Sequence, residues 1–157
     1  MALNIRQKGA GGEREIIALL EPIVRAKMLE FGLQVPDKPI LQRNQNQSAV
    51  GGCDLTNTFG LAIEVKRQEQ LAVNEWWRQC CASAARNHER PVLMYRQNQK
   101  KWNVVMMAHL TLPVLPEARN GLPMSLEHRV TLSMDDFLVW FRQYVTNVLH
   151  TDYRPQL

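Results

Sequence analysis

The chain has few cysteines, and they form no pattern that a disulfide framework or a zinc site would need. Cys53, Cys80 and Cys81 are odd in number and include no Cys-x-x-Cys pair. No apolar run approaches the roughly 18 residues of a membrane span. The N-terminus has basic residues but no apolar segment after them, so it does not read as a secretory signal. We therefore expect a cytoplasmic protein with reduced thiols and no membrane partner.

The sequence also lacks the motifs of a phosphate-binding loop and of a histidine metal site. The segment GAGG at 9–12 lacks the Lys-Ser/Thr of a P-loop, and the four histidines show no metal-ligand spacing. Nothing indicates a small organic cofactor. Acidic residues are in the minority: the net charge is +4, and much of the basic excess is arginine, whose planar fork suits phosphate. This balance allows a nucleic-acid partner without requiring one.

The hydrophobic pattern alternates between helix and strand. Apolar residues recur at three and four from Glu13 to Phe31, which predicts a helix that Gly32 can end and that Pro22 should kink or split. A second helix is predicted from Val73 to His88, and Ser133 is predicted to cap a last one. Extended segments are predicted at 39–42, 53–56, 61–66, 91–96, 101–107 and 129–132.

The order of these elements predicts an α/β fold with one mixed β-sheet flanked by helices. A length of 157 residues fits a single domain, 1–157, in which the strand and helix beyond about residue 110 form a C-terminal extension. The segments at 53–56 and 61–66 are close enough in sequence to predict a hairpin. The paired tryptophans at 76 and 77 lie on the second helix's apolar stripe, which favours core or dimer packing over base stacking.

The strand LAIEVKR at 61–67 carries two charges that a buried strand would not normally have. Residues two apart share a face, so Glu64 and Lys66 lie side by side. If Asp54 lies on a paired strand, its carboxylate converges with that of Glu64, and such hard oxygen ligands bind Mg²⁺. Lys66 would then position the attacking water and neutralise charge on a phosphate. The alternative is an edge strand that shows an ordinary Glu and Lys to solvent.

Glu13 extends the buried stripe of the first helix, because it precedes Ile16 and Ile17 by three and four residues. A carboxylate that points toward the core needs a partner, which the predicted metal site would supply. Arg14 beside it could contact phosphate. The alternative is that Glu13 simply favours a helix N-terminus through the macrodipole.

Three segments resemble a known family: KGAGGEREIIALL at 8–20, GGCDL at 51–55 and LAIEVKR at 61–67. They are similar, in order and spacing, to the KG-x-x-x-ERE, V/P-D-L and IEVK motifs of the archaeal-type Holliday-junction resolvases in the PD-(D/E)XK nuclease superfamily. The resemblance implies a restriction-endonuclease-like core and a homodimeric, Mg²⁺-dependent endonuclease that resolves four-way junctions in DNA recombination and repair. It also implies the cytoplasm of a bacterium or of a phage-infected host cell.

The resemblance further implies roles for individual residues. Glu13, Asp54, Glu64 and Lys66 would be the catalytic set. Asp54 and Glu64 would hold Mg²⁺, or Mn²⁺ in its place, with the backbone carbonyl of Val65 and with Glu13 as a further candidate ligand. Lys8, Arg14 and Arg67 are candidate DNA-binding residues on a basic surface around the cleft, although a solvated charge is the alternative for each. Gln79 is a further candidate for orienting the site, although a solvated glutamine is the alternative.

The chain also departs from the family pattern. Cys53 replaces the usual Pro or Val before the Asp, and the residues beyond about 110 match no motif of the family. Two other functions therefore stay open. One is another PD-(D/E)XK nuclease that acts on duplex, flaps or ends, and the other is a non-catalytic DNA-binding subunit.

Overall fold

Helices and strands follow one another in the predicted order in the computed structural model, which describes residues 5–45, 52–111 and 125–151, with side chains from residue 9 onward. The elements are α1 (Ile5–Glu30), β1 (Gln42–Arg43), β2 (Leu55–Thr56), β3 (Leu61–Arg67), α2 (Val73–Asn87), β4 (Arg90–Arg96), β5 (Asn103–Thr111), β6 (Ser125–Ser133) and α3 (Met134–His150).

The main sheet has the strand order β3-β4-β5-β6, with β3 at one edge. Strands β3 and β4 are parallel, and the other two pairs are antiparallel. The predicted α/β class with a mixed sheet flanked by helices is confirmed. A second, small sheet joins β1 and β2 in antiparallel pairing.

The predicted hairpin between 53–56 and 61–66 is wrong, because β2 pairs with β1 and not with β3. The segment before β2 still keeps one backbone hydrogen bond to β3, from Asp54 N to the carbonyl of Ile63 at 3.0 Å. Strand pairing depends on packing against the rest of the molecule, which a local pattern does not contain. Asp54 nevertheless lies against β3, as the hairpin would have placed it.

Both faces of the main sheet are covered by helices, and successive side chains of β3 point to opposite faces. Leu61, Ile63 and Val65 join the core that α1 and α3 cover, whereas Ala62 packs against Ala84 of α2. Burial on both faces explains why this strand is a nearly continuous apolar run. The side chains of α3 that complete the larger core are Phe137, Phe141 and Val145, all fully buried.

Helix α1 begins earlier than predicted, at Ile5, so that the glycine-rich segment at 9–12 is helical. A Cβ on Gly12 would lie 3.3 Å from Val65 and from Trp102, so glycine lets α1 pass close to β3. Pro22 is exposed and does not split the helix. Gly32, with φ of 66°, follows the last turn as predicted.

The predictions for the other helices are confirmed in their main features. Trp76 and Trp77 are buried and pack with Leu93 and Val105, so they belong to the core and are not base-stacking platforms. The hydroxyl of Ser133 accepts a hydrogen bond from Asp136 N at 3.1 Å and caps α3. None of the described helices has the length and apolar character that a bilayer crossing requires.

Candidate active site

Glu64 and Lys66 project from the same face of β3 and contact each other. Lys66 Nζ donates to Glu64 Oε1 at 2.6 Å. The strand is at the edge of the main sheet, yet the two side chains are only 12% and 22% exposed, with the glutamate the more buried. The interpretation of an edge strand that shows ordinary charges to solvent is therefore wrong.

Asp54 lies against the same strand and is 6% exposed. Its Oδ2 accepts a hydrogen bond from Val65 N at 2.6 Å, in addition to the bond that its own N–H makes to Ile63. Through these two contacts Asp54 is held against Ile63 and Val65, the residues on either side of Glu64. Asp54 and Glu64 are thus brought together although Asp54 precedes β2 and β2 does not pair with β3.

The electrostatics of the site follow from the burial and the proximity of these groups. The pKa of Glu64 is raised, first by burial and then by the negative charges of Asp54 and Glu13, while Lys66 opposes the shift. Burial on its own would lower the pKa of Lys66, but Glu64 and Asp54 outweigh it and the pKa is raised. Lys66 is therefore an ammonium at neutral pH, beside carboxylates that repel one another.

Glu13 is brought to the site from α1. Because the helix starts at Ile5, Glu13 is not in its first turn, and the macrodipole interpretation is wrong. Its carboxylate accepts a hydrogen bond from Arg43 of β1, and the side chain is 13% exposed. Arg43 was not predicted from the sequence, because it lies in a polar stretch outside the motifs and 30 residues from its partner.

A cleft of about 520 Å³ opens at this edge of the sheet. Five of the residues predicted for the site line it, and Glu64 adjoins it through Lys66. The five are Glu13, Asp54, Val65, Lys66 and Arg67. The other lining residues are Gly9, Gln68, Glu69 and Gln70.

Glu15 organises a second charged group at the rim of the cleft. Its carboxylate contacts Arg67 Nη1 at 3.0 Å and Arg96 Nη2 at 2.6 Å, and Trp102 Nε1 donates to it at 3.3 Å. The guanidinium of Arg96 also lies 4.8 Å from the centre of the Trp102 ring. Sequence reasoning missed Glu15, since it lies off the apolar stripe and its partners come from distant strands.

Other candidates are not brought to the cleft. Gln79 is exposed on α2, where its amide donates to Glu75 at 3.4 Å, and it is not among the lining residues. Arg14 is exposed on α1. The side chain of Lys8 lies outside the described part of the chain.

A family model described as "Phage putative PDDEXK endonuclease" matches residues 4–120. The chain belongs to this family. The predicted superfamily is confirmed, and the match includes every residue that lines the cleft. It ends before β6 and α3, the elements in which no family motif was found.

Other comparisons add less to this family assignment. Among solved structures, the chain is similar to Hjc, a Holliday junction resolvase from Archaeoglobus fulgidus, with 12% identity, a TM-score of 0.32, and coverage of 84% of this chain and 99% of that one. None of the curated proteins compared with the chain matches it significantly.

The donor set of this PDDEXK site suits a hard divalent cation. Within the described ranges, no group of three or more His, Cys, Asp and Glu side chains could hold a metal. Magnesium does not need three protein ligands, since it is commonly held by one or two carboxylates and completes its coordination shell with water and substrate phosphate. Asp54 and Glu64 are such a pair, and a bound cation would offset the negative charge of Asp54, which adds to the effect of burial in raising the pKa of Glu64.

Proposed function

We propose that the protein is a metal-dependent endonuclease that hydrolyses DNA phosphodiesters, and that it resolves four-way (Holliday) junctions as a homodimer. The observation that carries the proposal is the contact between Lys66 and Glu64, beside Asp54, at the edge of a cleft in a chain of the PDDEXK family. A buried ammonium among converging carboxylates is an arrangement that phosphodiester hydrolysis can use.

Asp54 and Glu64 would hold Mg²⁺, or Mn²⁺ in its place, with the carbonyl of Val65, whereas Glu13 pairs with Arg43 and does not form a three-carboxylate group with them. The bound ion would act as a Lewis acid on the phosphate and would lower the pKa of a coordinated water. The hydrogen bond from Val65 N keeps Asp54 in place. In this role the chain supplies one carboxylate from the edge strand, Glu64, and a second, Asp54, that is hydrogen-bonded to that strand.

Lys66 would be the catalytic lysine. Because Glu64 and Asp54 keep it protonated, its ammonium is suited to orient the attacking water and to offset the charge that grows on the phosphate. Glu13 completes the catalytic set from α1 and is held by Arg43. Arg14, Arg67 and Lys8 would contact the DNA backbone, of which Arg67 lies at the cleft.

The preference for junctions and the homodimer rest on the similarity of the three motifs to the archaeal-type resolvases. The first alternative is a nuclease of the same superfamily that acts on duplex, flaps or ends, because it would use the same site. A non-catalytic DNA-binding subunit is disfavoured, since Glu13, Asp54, Glu64 and Lys66 are all present and lie around one cleft.

The test is cleavage of a labelled synthetic four-way junction beside a linear duplex of the same sequence, with Mg²⁺, with Mn²⁺ and with a chelator. Asp54→Asn serves as the inactive control. Paired symmetric nicks in the junction alone would support the resolvase. Equal cutting of both substrates would discard the junction preference and keep the nuclease. No cutting with either metal would contradict the proposed function.

A further inference from the structure

The turn between β4 and β5 presents two adjacent lysines to solvent. It comprises residues 97–101, and it is closed by a hydrogen bond from Lys100 N to the carbonyl of Gln97 at 3.2 Å. Gln99 adopts a left-handed conformation with φ of 58°. Lys100 and Lys101 are both exposed.

Three side-chain hydrogen bonds attach this turn to residues that line the cleft. Gln97 Nε2 donates to the carbonyl of Glu69 at 2.8 Å, and Asn98 N donates to Glu69 Oε1 at 3.1 Å. Arg67 Nε donates to Asn98 Oδ1 at 3.0 Å. The lysines are therefore held at a defined position next to the cleft.

The charge of the two lysines is not balanced by the acidic groups nearby. The Glu69 carboxylate accepts the Asn98 N–H, and Glu15 is shared between Arg67 and Arg96. Among the residues that the structure describes, neither Lys100 nor Lys101 forms an ion pair. When Arg67, Arg96, Lys100 and Lys101 are counted against Glu15 and Glu69, the net charge is +2, so the turn is a positively charged extension of the cleft rim.

We propose that the turn at 97–101 is a second DNA-backbone site, in which Lys100 and Lys101 bind phosphates that flank the cleaved one. The inference rests on the proposed function, since it extends the same DNA substrate beyond the cleft. Lysine binds phosphate as a point charge, so these contacts position the duplex and do not read its sequence. The hydrogen bonds to Arg67 and Glu69 hold this second site at a fixed position relative to Lys66.

The test is the salt dependence of binding to a labelled duplex, measured by fluorescence anisotropy in the presence of a chelator. The test variant is Lys100→Ala/Lys101→Ala. The matched control is Lys27→Ala/Lys38→Ala, which removes the same charge near the C-terminal end of α1, where Lys27 pairs with Glu30. Lys27 is 14 residues from Glu13, about 21 Å along the helix.

Each phosphate contact contributes about 0.9 to the slope of log affinity against log salt on duplex DNA. The test variant should therefore have a slope smaller than that of the wild type by about 1.8, and the control should keep the wild-type slope. An unchanged slope in the test variant overturns the proposal, and so does an equal loss in both variants. If either of these results is found and the wild type still cleaves DNA, the second site is discarded and the proposed function is kept. A wild type that neither binds nor cleaves DNA overturns the proposed function as well.

Discussion

At the scale of single residues, the site consists of charged side chains on and beside β3 that are largely buried. Glu64 and Lys66 pair on β3, and Asp54 is fixed against them by the backbone of Val65. Sequence reasoning found these three residues because period-two alternation and the motif spacing are local. It missed Arg43 and Glu15, because their partners are brought near only by the fold.

Metal affinity should depend on pH through Glu64. Its pKa is raised by burial and by Asp54, so its carboxylate gains a proton at a higher pH than an ordinary glutamate as the solution is acidified. Protons then compete with the cation for the same oxygens, so affinity for Mg²⁺ falls as the pH is lowered below neutrality. Calorimetric titration with Mg²⁺ at several pH values measures this.

The matched control for that titration is Glu75→Gln, which removes an exposed carboxylate on α2. It should retain the wild-type affinity and pH dependence, whereas Glu64→Gln should lose binding. A Glu64→Gln variant that binds Mg²⁺ as tightly as the wild type would show that Glu64 does not hold the metal.

At the scale of elements, contacts between α1 and the sheet decide whether Glu13 reaches the cleft. The hydrophobic pattern predicted the helices and most strands, since each pattern repeats within its own element. It did not predict the start of α1, because four residues with three glycines favour a loop by propensity. Packing of Gly12 against β3 overrides that propensity.

Gly12→Val should separate α1 from β3. The new side chain would collide with Val65 and Trp102, which lie 3.3 Å from a Cβ at this position. Overpacking of this kind costs about 1–3 kcal/mol of unfolding free energy. Urea denaturation measures the loss. Gly9→Val is the control, because nothing lies within 4 Å of its Cβ position, and equal stability of the two variants would contradict the close approach.

Glu15→Gln should loosen the contacts that join α1 to β3 and β4. The carboxylate binds two guanidinium groups and the Trp102 indole, and hydrogen bonds to charged groups contribute about 1.5–3 kcal/mol. Since the Glu15 side chain is 38% exposed, we expect a loss near the lower limit of that range. Glu30→Gln, which breaks the ion pair with Lys27 on the same helix, should change stability by less than about 1 kcal/mol. Equal effects of the two changes on urea denaturation would argue against a linking role.

At the scale of the whole molecule, the last helix is part of the core although the family match ends before it. Phe137, Phe141 and Val145 of α3 are fully buried among side chains of α1 and the sheet. The sequence showed the apolar stripe of α3 but not the surface against which it packs.

A chain that ends at residue 120 should not unfold cooperatively, because removal of α3 exposes the face of the sheet that it covers. Differential scanning calorimetry of the truncated and full chains measures this. We expect no cooperative transition in the truncated chain. A transition at the temperature of the full chain would mean that β6 and α3 are dispensable for the core.

Single-turnover DNA cleavage in Mg²⁺ measures whether Lys66, with Asp54 and Glu64, forms a metal-dependent nuclease site. Lys66→Ala should reduce the rate by about 10²–10⁴-fold, as expected for loss of a group that acts on the transferred proton or the developing charge. Lys27→Ala, at the distant end of α1, should cleave at the wild-type rate. Equal rates for Lys66→Ala and the wild type would contradict the account.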